Sequence, residues 1–137
     1  MTRLEEWERW NGSQLVADDY ELKYLLQDRN GLKIVFAGLE TEVTIVYRKQ
    51  ILSFRSCDES DRWKTVSDVL AGHGKDFFRN WLAYRVTASD YASWFARETF
   101  DSTTADEILH LAFVTANDVI DVLSLEEPDI LLSPIRD

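Results

Sequence analysis

The groups in this sequence best suited to chemistry are two histidines, one cysteine and many carboxylates. His110 stands in the apolar run Ile108 to Thr115, with Asp118 and Asp121 shortly after it. An imidazole beside carboxylates can move a proton or hold a divalent cation. One reading is therefore a small metal-dependent hydrolase built on His110, Asp118 and Asp121. The other is a core histidine satisfied by hydrogen bonds. His73 lies between Gly72 and Gly74, in a turn. Neither histidine has a His-x-x-x-His, Glu-x-x-His or Cys-x-x-Cys setting, so no metal-ligand spacing is present. The sequence also lacks a Gly-rich phosphate loop and a Gly-x-Ser-x-Gly elbow. Cys57 is the only cysteine, and Asp58, Glu59 and Asp61 beside it oppose a thiolate, so an inert thiol is expected. Asp58-Glu59-Ser60-Asp61 lacks the Gly and the distant Glu of a calcium loop and reads as a helix start. No catalytic, cofactor-binding or metal-binding residue is assigned, and the balance leans away from an enzyme.

Two stretches read almost alike, Val86-Thr87-Ala88-Ser89-Asp90 and Val114-Thr115-Ala116-Asn117-Asp118. Each follows an apolar β-prone run and presents Thr-x-x-Asp, the pattern of a capping box. Tyr91, Trp94 and Phe95 after the first match Val119, Val122 and Leu123 after the second. The pattern predicts one strand-cap-helix unit written twice, with helices over 90–98 and 117–124. Strands 81–86 and 108–114 would then be parallel neighbours joined by a right-handed crossover. A helix N-terminus also attracts anions, but the Asp in each motif already supplies that charge, which favours plain capping.

Upstream, Leu4, Trp7 and Trp10 fall near helical spacing, and a short helix over 3–10 ending at Asn11-Gly12 is expected. Its tryptophans either pin it to the core or mark a binding surface. From Tyr20 the period becomes two. Tyr20 to Leu26, Leu32 to Phe36, Glu42 to Tyr47 and Ile51 to Arg55 read as a four-stranded meander, with Asp28-Arg29-Asn30-Gly31 as its first hairpin turn, because Asn-Gly readily adopts positive φ. Trp63, Val66, Val69 and Leu70 continue the helix begun near Asp58. Ile130 to Leu132 predicts a short edge strand before Pro134. The expected architecture is a single α+β domain, 1–137. It comprises one mixed sheet of about six strands, an antiparallel meander plus two β-α units, with helices mainly on one face.

An apolar content of 45% is enough for a packed core at this length, and no apolar run is long enough to span a membrane as a helix. Charged residues at the N-terminus and the lone cysteine suit a cytoplasmic protein. The net charge is −10, and residues 101–137, with nine acids and one base, hold most of the imbalance. Such a field repels nucleic acid and steers a basic protein partner. Residues 32–57 run the other way, with four bases against two acids. Contact residues for the basic partner would be Glu126, Glu127 and Asp129.

Leu82-Ala83-Tyr84-Arg85-Val86 with Ser89 to Phe95, and His110 to Ser124 with Pro128, resemble a group of small bacterial proteins of uncharacterised function. Their shared pattern is strand, polar cap and aromatic helix, then His, strand, Thr-x-Asn-Asp, Ile-Asp-Val-Leu-Ser and a trailing Pro. Some small acidic α+β proteins of this look are immunity proteins, which bind and block a toxin domain. By that analogy, and from the absent catalytic signature and the acidic last quarter, the expected function is that of a non-enzymatic, cofactor-free protein that binds another protein, as an immunity-type inhibitor of a basic toxin. A subunit of a homo-oligomer is the bland alternative.

Overall fold

The computed structural model describes residues 5–10, 19–79 and 81–135. Its elements run β1 (Glu6–Arg9), β2 (Glu21–Asp28), β3 (Gly31–Ala37), β4 (Thr41–Tyr47), β5 (Ser53–Asp58), α1 (Trp63–His73), β6 (Ala83–Thr87), α2 (Asp90–Glu98), β7 (Leu109–Val114), β8 (Asp118–Ser124) and β9 (Asp129–Pro134). The strands make two sheets, in the orders β1-β6-β7-β8-β5 and β2-β3-β4-β9. Every pairing among the described strands is antiparallel. The expected single mixed sheet of about six strands is therefore wrong, and the molecule is mostly β.

Strand alternation sets the layers. Ile34 and Phe36 of β3 and Val43, Ile45 and Tyr47 of β4 point to the same core as Leu111 and Phe113 of β7 and Ile120 and Val122 of β8. That core joins the two sheets face to face. The alternate residues of the larger sheet, Tyr84, Val86, Ala112, Val114 and Val119, meet Val66 and Val69 of α1. Leu123 meets Tyr91 and Ala92 of α2. The larger sheet is thus covered on both faces, by the smaller sheet and by the helices.

That double cover explains two misreadings. β8 was expected as a helix over 117–124, because Val119, Val122 and Leu123 fit a helical stripe. In a strand covered on both faces every position is apolar, and the period vanishes. The β-branched Val119, Ile120 and Val122 and the pairing with β5 and β7 decide for a strand. At the other end, Trp7 and Trp10 belong to strand geometry, not to a helix over 3–10. An odd spacing in a strand sends them to opposite faces: Trp7 to the helical side and Trp10 to the inter-sheet core. Both are buried, so they pin the segment as one reading had it. The beginning of that expected helix and its end at Asn11-Gly12 lie outside the described residues.

The apparent repeat is likewise not structural. After the first copy, Ser89 caps α2, accepting from Ala92 N at 3.0 Å. After the second, Thr115 closes a tight turn. Its Oγ1 accepts from Asp118 N at 3.0 Å, and its own N–H donates to Asp118 O at 2.9 Å. Near-identical letters therefore make a helix cap once and a hairpin once. β6 and β7 are neighbours as expected, but antiparallel, with Val86 opposite His110.

Candidate functional site

The helical face of the larger sheet holds one concentrated polar cluster. His110 on β7 and Asp121 on β8 lie on adjacent strands with their side chains on the same face, because Ala112, two residues from His110, stands directly opposite Asp121. Arg55 stands directly opposite Asp121 on β5. His110 Nε2 lies 2.7 Å from Asp121 Oδ1, and His110 Nδ1 lies 2.6 Å from Ser89 Oγ. Asp121 Oδ2 accepts from Arg55 Nε at 2.9 Å and from Arg62 Nη1. The Arg55 guanidinium stacks over the Tyr91 ring at 4.2 Å. Tyr91 packs edge-on against His110 and shares a hydrogen bond with Ser53 Oγ.

Both ring nitrogens of His110 are satisfied in one tautomer. Nε2–H donates to Asp121, and Nδ1 accepts from the Ser89 hydroxyl, whose oxygen in turn accepts from Ala92 N–H. Asp121 is wholly buried. Burial alone would push its carboxyl up. The hydrogen bond donated by His110, with the guanidinium charges of Arg55 and Arg62, outweighs that and holds it well below the usual carboxylate range.

Serine, histidine and aspartate in this order invite comparison with a nucleophile relay. Two observations argue against it here. Ser89 is buried, and its oxygen is committed to the α2 cap. The clefts of about 650, 510 and 270 Å³ are lined by other residues, none by Ser89, His110 or Asp121. A metal reading fares no better. Two guanidiniums share the Asp121 oxygen that a divalent cation would need, and their charge opposes it. Among the described residues no group of three His, Cys, Asp or Glu side chains is placed to hold a metal. Asp118, proposed with His110 and Asp121, sits at the strand end opposite Asp58 and takes no part.

Sequence reasoning named Asp118 and Asp121 together as carboxylates within reach of His110; the structure brings Asp121 to it and not Asp118, and Arg55, Arg62, Ser89 and Tyr91 were missed. The available signal was Asp121 itself. A carboxylate inside Val-Ile-Asp-Val-Leu demands a buried cationic partner. Which cation answers it was not readable, since Arg55 and Arg62 come from a distant part of the chain.

Glu126, Glu127 and Asp129 do cluster, along the 510 Å³ cleft that Arg48, Lys49 and Gln50 also line. Glu126 is paired with Lys49 at 2.9 Å and Asp129 with Arg48. Together with Arg55 on Asp121, three of the four bases in residues 32–57 answer acids of the last quarter. The fold folds the basic segment onto the acidic one, so the surplus negative charge at this spot is far smaller than the sequence suggests.

No protein-family model, curated protein or solved structure matches the chain. Among the described residues no helix is long and apolar enough to cross a membrane.

Proposed function

We propose that this protein acts by binding another protein, through the surface of its helical layer around Arg55. What supports the reading is one juxtaposition. Arg55 lies on Tyr91, Tyr91 stacks on Trp94 at 5.7 Å, and Arg55 shares Asp121 with Arg62, the residue before Trp63. Trp63 is 74% exposed and Trp94 44% exposed. Tryptophan and arginine are the residue types that dominate binding energy at protein interfaces, and here exposed Trp94 joins the anchored Arg55 through Tyr91, with exposed Trp63 following Arg62 in the chain. The buried cluster beneath serves to hold Arg55 in place, so little side-chain freedom is lost on contact.

An immunity-type role, blocking a basic toxin, is one form of this function and would use Glu126, Glu127 and Asp129 as well. Their ion pairs do not forbid it. Exposed pairs are worth about 0–1 kcal/mol, so Lys49 and Arg48 can be exchanged for a partner's cations at small cost. Such a complex should associate more slowly as salt is raised.

The test uses photo-crosslinking side chains placed at Trp63 and Trp94, with Lys75 as the control position, followed by alanine variants. Trp63→Ala is expected to change unfolding free energy by less than about 0.5 kcal/mol, because the side chain is mostly in water. It should nonetheless abolish capture of the partner that crosslinks at position 94. Capture that survives both Trp63→Ala and Trp94→Ala would overturn the proposal.

A further inference from the structure

The four sheet edges are not alike. β1 is short and carries Glu6, Glu8 and Arg9, β2 has a bulge between Leu22 and Tyr24 with Glu21, Lys23 and Asp28 along it, and β5 carries Arg55 and Asp58. Charge, brevity and bulges are the usual means of keeping an edge from pairing. β9 carries Asp129 and Pro134 at its two ends, but neither charge nor bulge nor proline over the four residues between them, Ile130-Leu131-Leu132-Ser133. Leu131 is 50% exposed and Leu132 43%, although they point to opposite faces of the sheet. No described strand lies on the far side of β9.

The hydrogen-bonding phase of this edge is fixed. Ile135 N–H donates to Glu40 O at 2.9 Å, on the β4 side. By alternation Ser133, Leu131 and Asp129 also turn their amides to β4, and Ile130, Leu132 and Pro134 turn theirs outward. Pro134 thus sits where no N–H is owed to the sheet.

We infer that β9 pairs antiparallel with β9 of a second copy of this chain, about a two-fold axis through Leu131. In that register Leu131 faces Leu131 of the second copy. Ile130 and Leu132 of one copy face Leu132 and Ile130 of the other and exchange N–H···O bonds in both directions. Asp129 faces Ser133, so no like charges meet. Pro128 faces Pro134, and since neither has an N–H the pairing ends there. The strand is self-complementary in hydrogen bonds, in apolar contact and in charge, which an isologous dimer requires. The row Tyr24, Val35, Thr44 and Leu131, which crosses the four strands of the smaller sheet, would continue across eight.

Sedimentation velocity on the full chain, from about 1 to about 500 µM, should show mass rising to that of a dimer. Hydrogen exchange should show the Ile130 and Leu132 amides gaining protection with concentration, while the Leu131 amide, bonded to β4, is protected throughout. Leu131→Lys puts two like charges face to face on the axis and should weaken dimerisation by at least about tenfold without altering the circular dichroism spectrum. In a Cys57→Ser background, Leu131→Cys should oxidise to a covalent dimer and Leu132→Cys should not, because only position 131 faces itself. A monomer at all concentrations, or a dimer indifferent to Leu131→Lys, overturns the inference. Should Leu131→Lys misfold, the concentration dependence of the two amides in the unaltered protein decides alone. An extended peptide binding at β9 in place of a second copy would leave those amides unprotected in the pure protein.

Discussion

Asp121→Asn is expected to lower the unfolding free energy by about 3–5 kcal/mol, the cost of breaking a buried ion pair by removing one partner. The substitution keeps shape and removes charge. Arg55, whose side chain is 41% exposed, can recover water, but Arg62 is 12% exposed and its charge would be stranded. An amide that accepts from His110 with its oxygen must turn its NH2 toward two guanidiniums, so donors would face donors. Urea denaturation followed by tryptophan fluorescence measures the loss. Combining Asp121→Asn with Arg62→Met should cost less than the sum of the two single changes, because the second removes the charge the first leaves unpaired. Additive costs would mean that Arg62 and Asp121 do not act as a pair.

The same carboxylate gives the protein a signed pH dependence. Asp121 is held below its unfolded value, near 4. Between the two values the unfolded chain binds more protons, so stability rises with pH there. Its contribution is complete above about pH 4 and is lost as pH falls through the folded-state value. Asp58 and Glu107 are also shifted down, by hydrogen bonds to Ser60 and Thr104. Both remain in the Asp121→Asn protein, so the difference between the two acid titrations isolates Asp121. Parallel curves for the two proteins would contradict the assignment.

Gly31→Ala is expected to destabilise by roughly 3 kcal/mol or more, combining backbone strain with overpacking. A Cβ at Gly31 would lie 1.8 Å from the Tyr47 carbonyl oxygen and 3.2 Å from that of Lys49, and the residue has φ of +146°. These neighbours are backbone, so no rotamer change relieves the clash, and the end of β4 must move away from β3. Gly72, on the exposed side of α1, provides the contrast. Nothing lies within 4 Å of its added Cβ, so Gly72→Ala should stabilise by about 0.5–1 kcal/mol through helix propensity. Thermal unfolding of both variants checks the pair. A Gly31→Ala protein as stable as the parent would mean that β3 and β4 do not approach as described.

The smaller sheet was the most legible part of the fold. β2, β3 and β4 alternate, and the chain turns at Arg29 and Asn30, between Asp28 and Gly31, within the stretch read as a hairpin turn. The sequence argued for Gly31 from positive φ. The tight approach of Tyr47 is a separate reason that only neighbouring strands create. The fourth expected meander strand exists, but as β5 it joins the other sheet, beside β8. Its residues carry no mark of that choice. The apolar run 108–114 was read as a strand, and as β7 it sits third of five in the larger sheet. The segment from Asp58 through Leu70 was read as helical, and Asp58 accepts from Ser60 N at 2.9 Å at its start; α1 runs on to His73, which was read in a turn.

Local chemistry in the chain determined the first hairpin, the helix starts near Asp58 and Asp90, the apolar runs and the need of Asp121 for a partner. These depend on residues a few positions apart, whose propensities act before any tertiary contact forms. The tertiary structure alone decided that Val119 to Leu123 is a strand, that the two near-repeats differ, and which base meets which acid. A run apolar on every side fits either period, and only its neighbours can choose. Arg48, Lys49 and Arg55 reach Asp129, Glu126 and Asp121 across most of the chain, because sheet pairing ignores distance along the sequence. For that reason three acids of the strongly acidic last quarter, Asp121, Glu126 and Asp129, meet bases from residues 32–57 in the folded protein.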